Sequence, residues 1–109
     1  MTSLLEKARA SWAESRDGKM HVPEWGVTVH FKAMTLREHR VFEQSYENDP
    51  TLAIATLVQT RALDEKGKRL FDDELSTTTA LRDDVDPVVL LDLATRMRGK
   101  ASVAQAEKN

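Results

Sequence analysis

Two histidines on a predicted β-hairpin are the first residues in this sequence whose type and spacing could bind a metal ion. His21 and His30 would be diagonal neighbours on one face of the hairpin, and imidazole nitrogens are ligands for zinc and related ions. Lys32 shares that face together with Thr28, and an ammonium group beside a metal cation is unfavourable. We therefore interpret both histidines as solvent-facing strand residues and predict no metal site.

Acidic runs at 72–74 and 83–86 offer carboxylate oxygens, which hard cations such as calcium prefer. A calcium loop requires ligands on alternate residues around a sharp glycine turn, and neither run has this pattern. Both runs lie where we expect helices to begin, and carboxylates there stabilise the positive end of the helix dipole. We interpret both runs as helix caps.

The sequence also lacks the usual motifs of covalent catalysis. It contains no Gly-x-Ser-x-Gly elbow and no glycine-rich phosphate loop, and its four glycines fall at predicted turns. It contains no cysteine, which excludes disulfides and thiolate chemistry. We predict that the protein is not an enzyme and binds no cofactor.

Composition favours a single domain with a surface of mixed charge. The chain has 109 residues, 40% of them hydrophobic, and its charged residues nearly cancel to a net charge of -2. Basic residues are interleaved with acidic ones, so no basic face for nucleic acid is expected. The sequence shows no signal peptide pattern and no long apolar run. We predict no membrane segment and a location in a cytoplasm.

A β-hairpin is the clearest structural prediction. Val27, Val29 and Phe31 alternate with polar residues, as in a strand with one buried face. The segment 20–22 alternates likewise, and the turn between the strands contains proline and glycine. If Val22 pairs with Val27, the strands align their apolar faces. We therefore predict an antiparallel hairpin.

Helical periodicity and capping residues predict four to five α-helices around this hairpin. We expect them near 4–14, 35–47, 51–63, 73–75 and 87–99, with the third buried at the centre of the core. Leu70 and Phe71 should insert into the core, and the threonines at 77–79 should form a loop. The predicted architecture is a small α+β domain over residues 1–98, followed by a flexible C-terminal tail over residues 99–109.

Apolar residues outside the expected core are the candidates for binding a partner. Leu5 and Trp12 on the first helix, and Trp25 in the hairpin turn, would pack either onto their own domain or onto a neighbour. The same two alternatives hold for the last helix. Its candidate residues are Val89, Leu93 and Met97.

Four segments, in this order and spacing, resemble the tail assembly chaperones of long-tailed bacteriophages and prophages. They are Ser-Leu-Leu-Glu-Lys-Ala at 3–8, Val-Pro-Glu-Trp-Gly at 22–26, Leu-Arg-Glu at 36–38 with Phe-Glu at 42–43, and the segment from Asp64 to Asp73. The resemblance covers about residues 3–75. It weakens after Leu75, where three threonines replace an expected helical stretch.

The resemblance implies a role in virion assembly in the host cell cytoplasm. Proteins of this family coat the aggregation-prone tape measure protein until tail tube subunits polymerise around it, and they are absent from the finished virion. The resemblance therefore implies two partners, the tape measure protein and the major tail tube protein, and self-association along an extended client. It implies no catalytic site.

Family members are often made in two forms, the longer through a backward ribosomal frameshift. Glu107-Lys108-Asn109 can be encoded by a string containing A-AAA-AAC, and Arg98-Gly99-Lys100 by one containing G-GGA-AAG. We hypothesise that one of these sites yields an extended form that recruits tube subunits. The principal rival interpretation is a small helical phage protein that regulates or inhibits a host complex. A metal-dependent enzyme would instead require His21 and His30 to bind an ion.

Overall fold

The computed structural model describes residues 3–99, which form five α-helices and one two-stranded antiparallel sheet. This architecture confirms the predicted α+β class. In chain order the elements are α1 (Leu4–Ser15), β1 (Asp17–Val22), β2 (Val27–Lys32), α2 (Leu36–Asn48), α3 (Pro50–Arg61), α4 (Leu75–Asp83) and α5 (Pro87–Met97). Beyond residue 99, the predicted C-terminal tail lies outside the described residues.

The hairpin has the register that the alternation of apolar and polar residues predicts. Val22 pairs with Val27, and Met20 pairs with Val29. A short 3-10 helix joins the two strands, and Gly26 follows it with a φ of 69°. This left-handed conformation is favourable for glycine because glycine has no Cβ.

Capping side chains fix where α2, α3 and α5 begin. The Thr35 hydroxyl accepts a hydrogen bond from the Glu38 backbone N–H at 3.2 Å, and the Glu38 carboxylate accepts one from the Thr35 backbone N–H at 2.9 Å. This confirms the predicted capping box. Asp49 and Asp86 cap α3 and α5, each followed by a proline at the first helical position.

Helix α3 lies at the centre of the core, as predicted, because it packs against α2, α4 and α5. Ala55 and Val58 of α3 are fully buried, and so are Leu93 and Met97 of α5. Every helix and strand except α1 contributes to this core. Its other members are Val22, Val29, Phe31, Met34, Phe42, Ala53, Leu57, Ala62, Leu81, Val89, Leu90 and Ala94.

Helix α4 includes the threonines at 77–79, so the predicted loop is wrong. Threonine loses side-chain freedom in a helix, but two of these residues gain specific hydrogen bonds. The buried hydroxyl of Thr78 donates to the side-chain oxygen of Gln59, and the hydroxyl of Thr77 donates to Asp72 Oδ1 at 2.6 Å. Tertiary contacts therefore override the local preference.

Gln59 is a polar residue buried in the core, and its amide is fully hydrogen-bonded. Nε2 donates to the backbone carbonyls of Asp72 at 2.7 Å and Glu74 at 3.1 Å, while Oε1 accepts from Thr78. These partners lie immediately before α4 and in its first turn. A single side chain of α3 therefore fixes the position of the connection that leads into α4.

The segment between α3 and α4 returns to the hairpin. Leu63 exchanges two backbone hydrogen bonds with His30 of β2, each of 2.8 Å. Phe71 packs edge-on against Trp25 with ring centroids 6.0 Å apart, and it is partly buried against the edge of the core, so its predicted return to the core is confirmed only as a contact at that edge. Leu70 does not follow the prediction, because it remains exposed.

Replacing Gln59 by alanine should lower the free energy of unfolding by about 2–4 kcal/mol, because the change removes three hydrogen bonds and opens a cavity in the core. Urea denaturation followed by circular dichroism measures the change. The matched control is Gln44→Ala on the exposed side of α2, which should change stability by less than about 0.5 kcal/mol. Equal losses in the two variants would contradict the role assigned to Gln59.

Candidate interaction surface

The candidate partner-binding residues of the last helix lie in the core. Leu93 and Met97 are fully buried, and Val89 is buried as well. Of the two alternatives given for these residues, packing within their own domain is therefore the one that the structure has. They support the fold, and the folded surface does not present them to a partner.

The two tryptophans differ in their surroundings. Trp25 is half-buried and packs against Phe71 at the edge of the core, so it folds back onto its own domain. Trp12 lies on α1, where the guanidinium of Arg16 stands 5.3 Å from the centre of its ring. More than a third of Trp12 is exposed, and it remains available for an external contact.

Helix α1 contributes nothing to the core, since all of its residues are exposed. Leu5, which is 60% exposed, and Trp12 lie seven residues apart and share one side of the helix with Ala8. The connection to the domain is at the C-terminal end of α1. There the Ala33 backbone N–H donates to the Arg16 carbonyl at 2.6 Å. Helix α1 therefore carries an uncovered apolar face on an otherwise polar surface.

An open groove of about 480 Å³ lies between α2 and α3. The amino-acid pattern did not predict this groove. Two of its apolar residues, Val41 and Leu52, are 58% and 38% exposed. The apolar residues that define this α2–α3 groove are Met34, Val41, Phe42, Leu52, Ala53 and Leu57. Its walls are two antiparallel helices, so it has the shape of a cleft that receives the apolar side of a third helix.

A cluster of three charged residues stands at the end of the groove where α2 begins and α3 ends. The Glu38 carboxylate contacts the guanidinium of Arg16 at 3.3 Å through one oxygen and the guanidinium of Arg61 through the other. The two arginines also donate to backbone carbonyls, Arg16 to Ala33 at 3.2 Å and Arg61 to Lys32 at 3.1 Å. The cluster therefore joins the end of α1, the start of α2 and the end of α3.

The surroundings of Glu38 strongly favour its charged form. The hydrogen bond from the Thr35 backbone N–H, together with the hydrogen bond and charge of Arg61, lowers the pKa of Glu38 from 4.5 to about 2, although partial desolvation opposes the shift. Glu38 therefore remains ionised at every pH at which the protein would normally function. The cluster is a structural clamp with a fixed charge.

The two strand histidines lie where the predicted register placed them. Lys19 pairs with His30, and Thr28 pairs with His21, which contacts the Thr28 hydroxyl through Nδ1 at 3.1 Å. His21 is exposed and His30 is partly buried. Within residues 3–99, no group of three or more His, Cys, Asp or Glu side chains is placed to hold a metal ion. In the same part of the chain, no helix is both long and apolar enough to cross a membrane.

The sequence contains a signal for one wall of the groove, but not for the groove itself. Phe42 and Tyr46 are four residues apart and share one side of α2, and the neighbouring Val41 is an apolar residue without a predicted partner. On α3, apolar residues occur on most sides of the helix, so a buried helix and a helix with one open side have the same pattern. The groove forms only where α2 and α3 pack against each other.

Replacing Glu38 by glutamine should make stability less sensitive to acid. A depressed pKa in the folded state contributes stability that is present above the unfolded value of 4.5 and is lost as the pH falls toward about 2. More than a third of the Glu38 side chain is exposed, so solvent screening limits the contribution to about 1–2 kcal/mol. Urea denaturation at pH values between 7 and about 2 should show a steeper loss for the wild-type chain than for Glu38→Gln. The control is Glu43→Gln, which changes an exposed residue on the same helix and should keep the pH dependence of the wild-type chain. If the stability of the wild-type chain and that of Glu38→Gln fall in parallel as the pH is lowered, the prediction is contradicted.

No protein-family model, curated protein or solved structure matches this chain. Any inference about function therefore rests on the geometry of residues 3–99. Its main feature is a cleft lined by apolar side chains and clamped at one end by a charged cluster. Such a cleft is suited to reversible binding of an amphipathic helix.

Proposed function

We propose that this protein is a phage tail assembly chaperone that binds and solubilises the tape measure protein in the host cell cytoplasm and is not retained in the mature virion. The observation that carries the proposal is the α2–α3 groove, an apolar cleft between two helices. A tape measure protein is a long helical client, and the apolar side of a helix is the surface that such a cleft accepts.

The amount of uncovered apolar surface supports the proposal. Large hydrophobic side chains are exposed on every helix, including Leu36 on α2, Leu75 on α4 and Val88 on α5. Single exposed apolar residues are ordinary on protein surfaces, but Val41 and Leu52 border one groove whose other apolar residues belong to the core, and an apolar groove of this kind is a feature of binding sites. Charged residues surround these apolar positions, and they keep a complex of chaperone and client in solution.

The proposal also includes weak self-association of the chaperone, and the apolar face of α1 supports it. Leu5 and Trp12 lie outside both the core and the α2–α3 groove. They provide a separate contact through which neighbouring copies associate weakly along one extended client. Weak contacts suit this task because the chaperones must leave when tail tube subunits polymerise.

Co-expression with the cognate tape measure protein tests the proposal. The wild-type chain should increase the soluble fraction of the client, and Val41→Glu should remove most of that increase because it places a charge in the groove. The control is Leu91→Glu, which changes a half-exposed leucine of α5 outside the groove and should leave the client soluble. Circular dichroism of both variants checks that the fold is retained.

The same experiment separates the proposal from its rival. If the tape measure protein is equally insoluble with and without this chain, the chaperone function is wrong. A regulator of a host complex would leave the client insoluble and would bind one partner at fixed stoichiometry. Mass spectrometry of purified virions gives an independent result, since this chain should be absent from them.

The proposal extends to a longer form that recruits the major tail tube protein. If this form exists, the gene should carry a slippery string at the codons for residues 107–109 or 98–100, followed by an open frame one base back. Sequencing the gene and detecting a larger product with an antibody test this expectation. Ordinary codons at both places would remove the longer form from the proposal without affecting the binding of the tape measure protein.

A further inference from the structure

The two ends of the α2–α3 groove differ in electrostatic charge. Arg37 lines the end at which α2 begins, next to the cluster of Arg16, Glu38 and Arg61. Since the cluster contains two cations and one anion, this end has an excess of positive charge. Arg37 forms no ion pair within residues 3–99, so its charge is available to a ligand.

Asp49 lines the opposite end, where α2 stops and α3 starts. Its carboxylate accepts hydrogen bonds from the Leu52 backbone N–H at 3.3 Å and the Thr51 hydroxyl at 3.2 Å, and these bonds hold its charge in place. Arg82 is a cation close enough to interact with the charge of Asp49. The guanidinium of Arg82 is already paired with both carboxylate oxygens of Asp83, at 2.8 and 3.0 Å.

The distance between the two ends follows from the helix that joins them. Arg37 and Asp49 are separated by twelve residues, which corresponds to about 18 Å or roughly three turns of a helix. A bound helix that runs along the groove would therefore reach both ends with side chains about three turns apart. Between them, its apolar residues would contact Val41 and Leu52.

We infer that the groove selects helices by charge as well as by apolarity. Its preferred ligand is an amphipathic helix of the client with an acidic side chain near Arg37 and a basic side chain about three turns away, near Asp49. This inference rests on the proposed function for the identity of the client, but the charge preference itself belongs to the groove. Arg37 and Asp49 are the residues that determine it.

Three synthetic peptides test the inference directly on the isolated full-length chain. Each is an amphipathic helix of about 18 residues with the same leucine ridge, long enough to be helical in solution. They differ only in the two side chains at the ends of the ridge. The mixed peptide has one glutamate and one lysine there, the two-lysine peptide has two lysines, and the two-glutamate peptide has two glutamates. Because every peptide can bind in either direction, the comparison depends on the pair of charges and not on their order.

The mixed peptide should bind more tightly than both others in fluorescence anisotropy or calorimetry. We expect an advantage of about two- to fivefold over each of the other two peptides, which is the range for exposed ion pairs. Both advantages should decrease as the salt concentration rises. Equal affinity for the three peptides would overturn the inference.

Two variants assign the preference to individual residues. Arg37→Glu should reverse the advantage of the mixed peptide over the two-lysine peptide, because a glutamate at this end of the groove favours lysine. Asp49→Asn should abolish its advantage over the two-glutamate peptide, and asparagine retains the helix cap that Asp49 provides. The matched controls are Arg40→Glu and Asp84→Asn, which change exposed residues outside the groove and should leave both preferences unchanged. Preferences that survive in Arg37→Glu and Asp49→Asn would contradict the assignment.

Failure of the inference and failure of the proposed function give different results. A chain that solubilises the tape measure protein but binds the three peptides equally, or binds none of them, overturns only the inference. If the chain prefers the mixed peptide but does not solubilise the client, only the proposed function is overturned.

Sedimentation of the chain alone tests whether a second copy of this chain occupies the groove. If self-association is lost in both Val41→Glu and Leu5→Glu, the groove is filled by α1 of another copy, and the inference is wrong.

Discussion

The Glu38 carboxylate joins three segments that are far apart in the sequence. It caps α2 through the Thr35 backbone N–H, and it holds Arg16 at the end of α1 and Arg61 at the end of α3. Because α2 and α3 are the walls of the groove, this cluster fixes their spacing at one end. The same interactions attach α1, which has no buried residue of its own. The proposed binding surface therefore depends on a small polar cluster as well as on the packing of α2 against α3.

A second constraint is the division of apolar residues between core and surface. Helix α3 uses Ala55 and Val58 to complete the core, while Leu52 of the same helix stays partly exposed and borders the groove. A domain of this size has few apolar residues, so each one that stays exposed does not contribute to the stability of the folded domain. This arrangement is consistent with a protein that gains stability when a partner covers the exposed side chains.

The parts of the fold that could be predicted depend on neighbours in the sequence. The alternation around Val29 was sufficient to predict the hairpin register, and proline after Asp49 and Asp86 marked the starts of α3 and α5. Helix α4 could not be predicted in the same way. Its threonines are weak helix formers, and the residue that compensates for this, Gln59, lies nineteen positions from Thr78 in the sequence.

The candidate site shows the same division. Apolar periodicity identified the residues of α1 and α5 that could contact something, but it could not say whether the contact was internal. The structure places Leu93 and Met97 in the core and leaves Leu5 exposed, although all three belong to helices with an apolar side.

The sequence by itself determined the types and starts of most elements, because capping, turn formation and alternation act over a few residues. Only the tertiary structure decided which apolar faces are covered, since burial depends on the packing of distant helices. It likewise decided that Arg37 and Asp49 stand at opposite ends of one groove, because the pairing of α2 with α3 creates that groove.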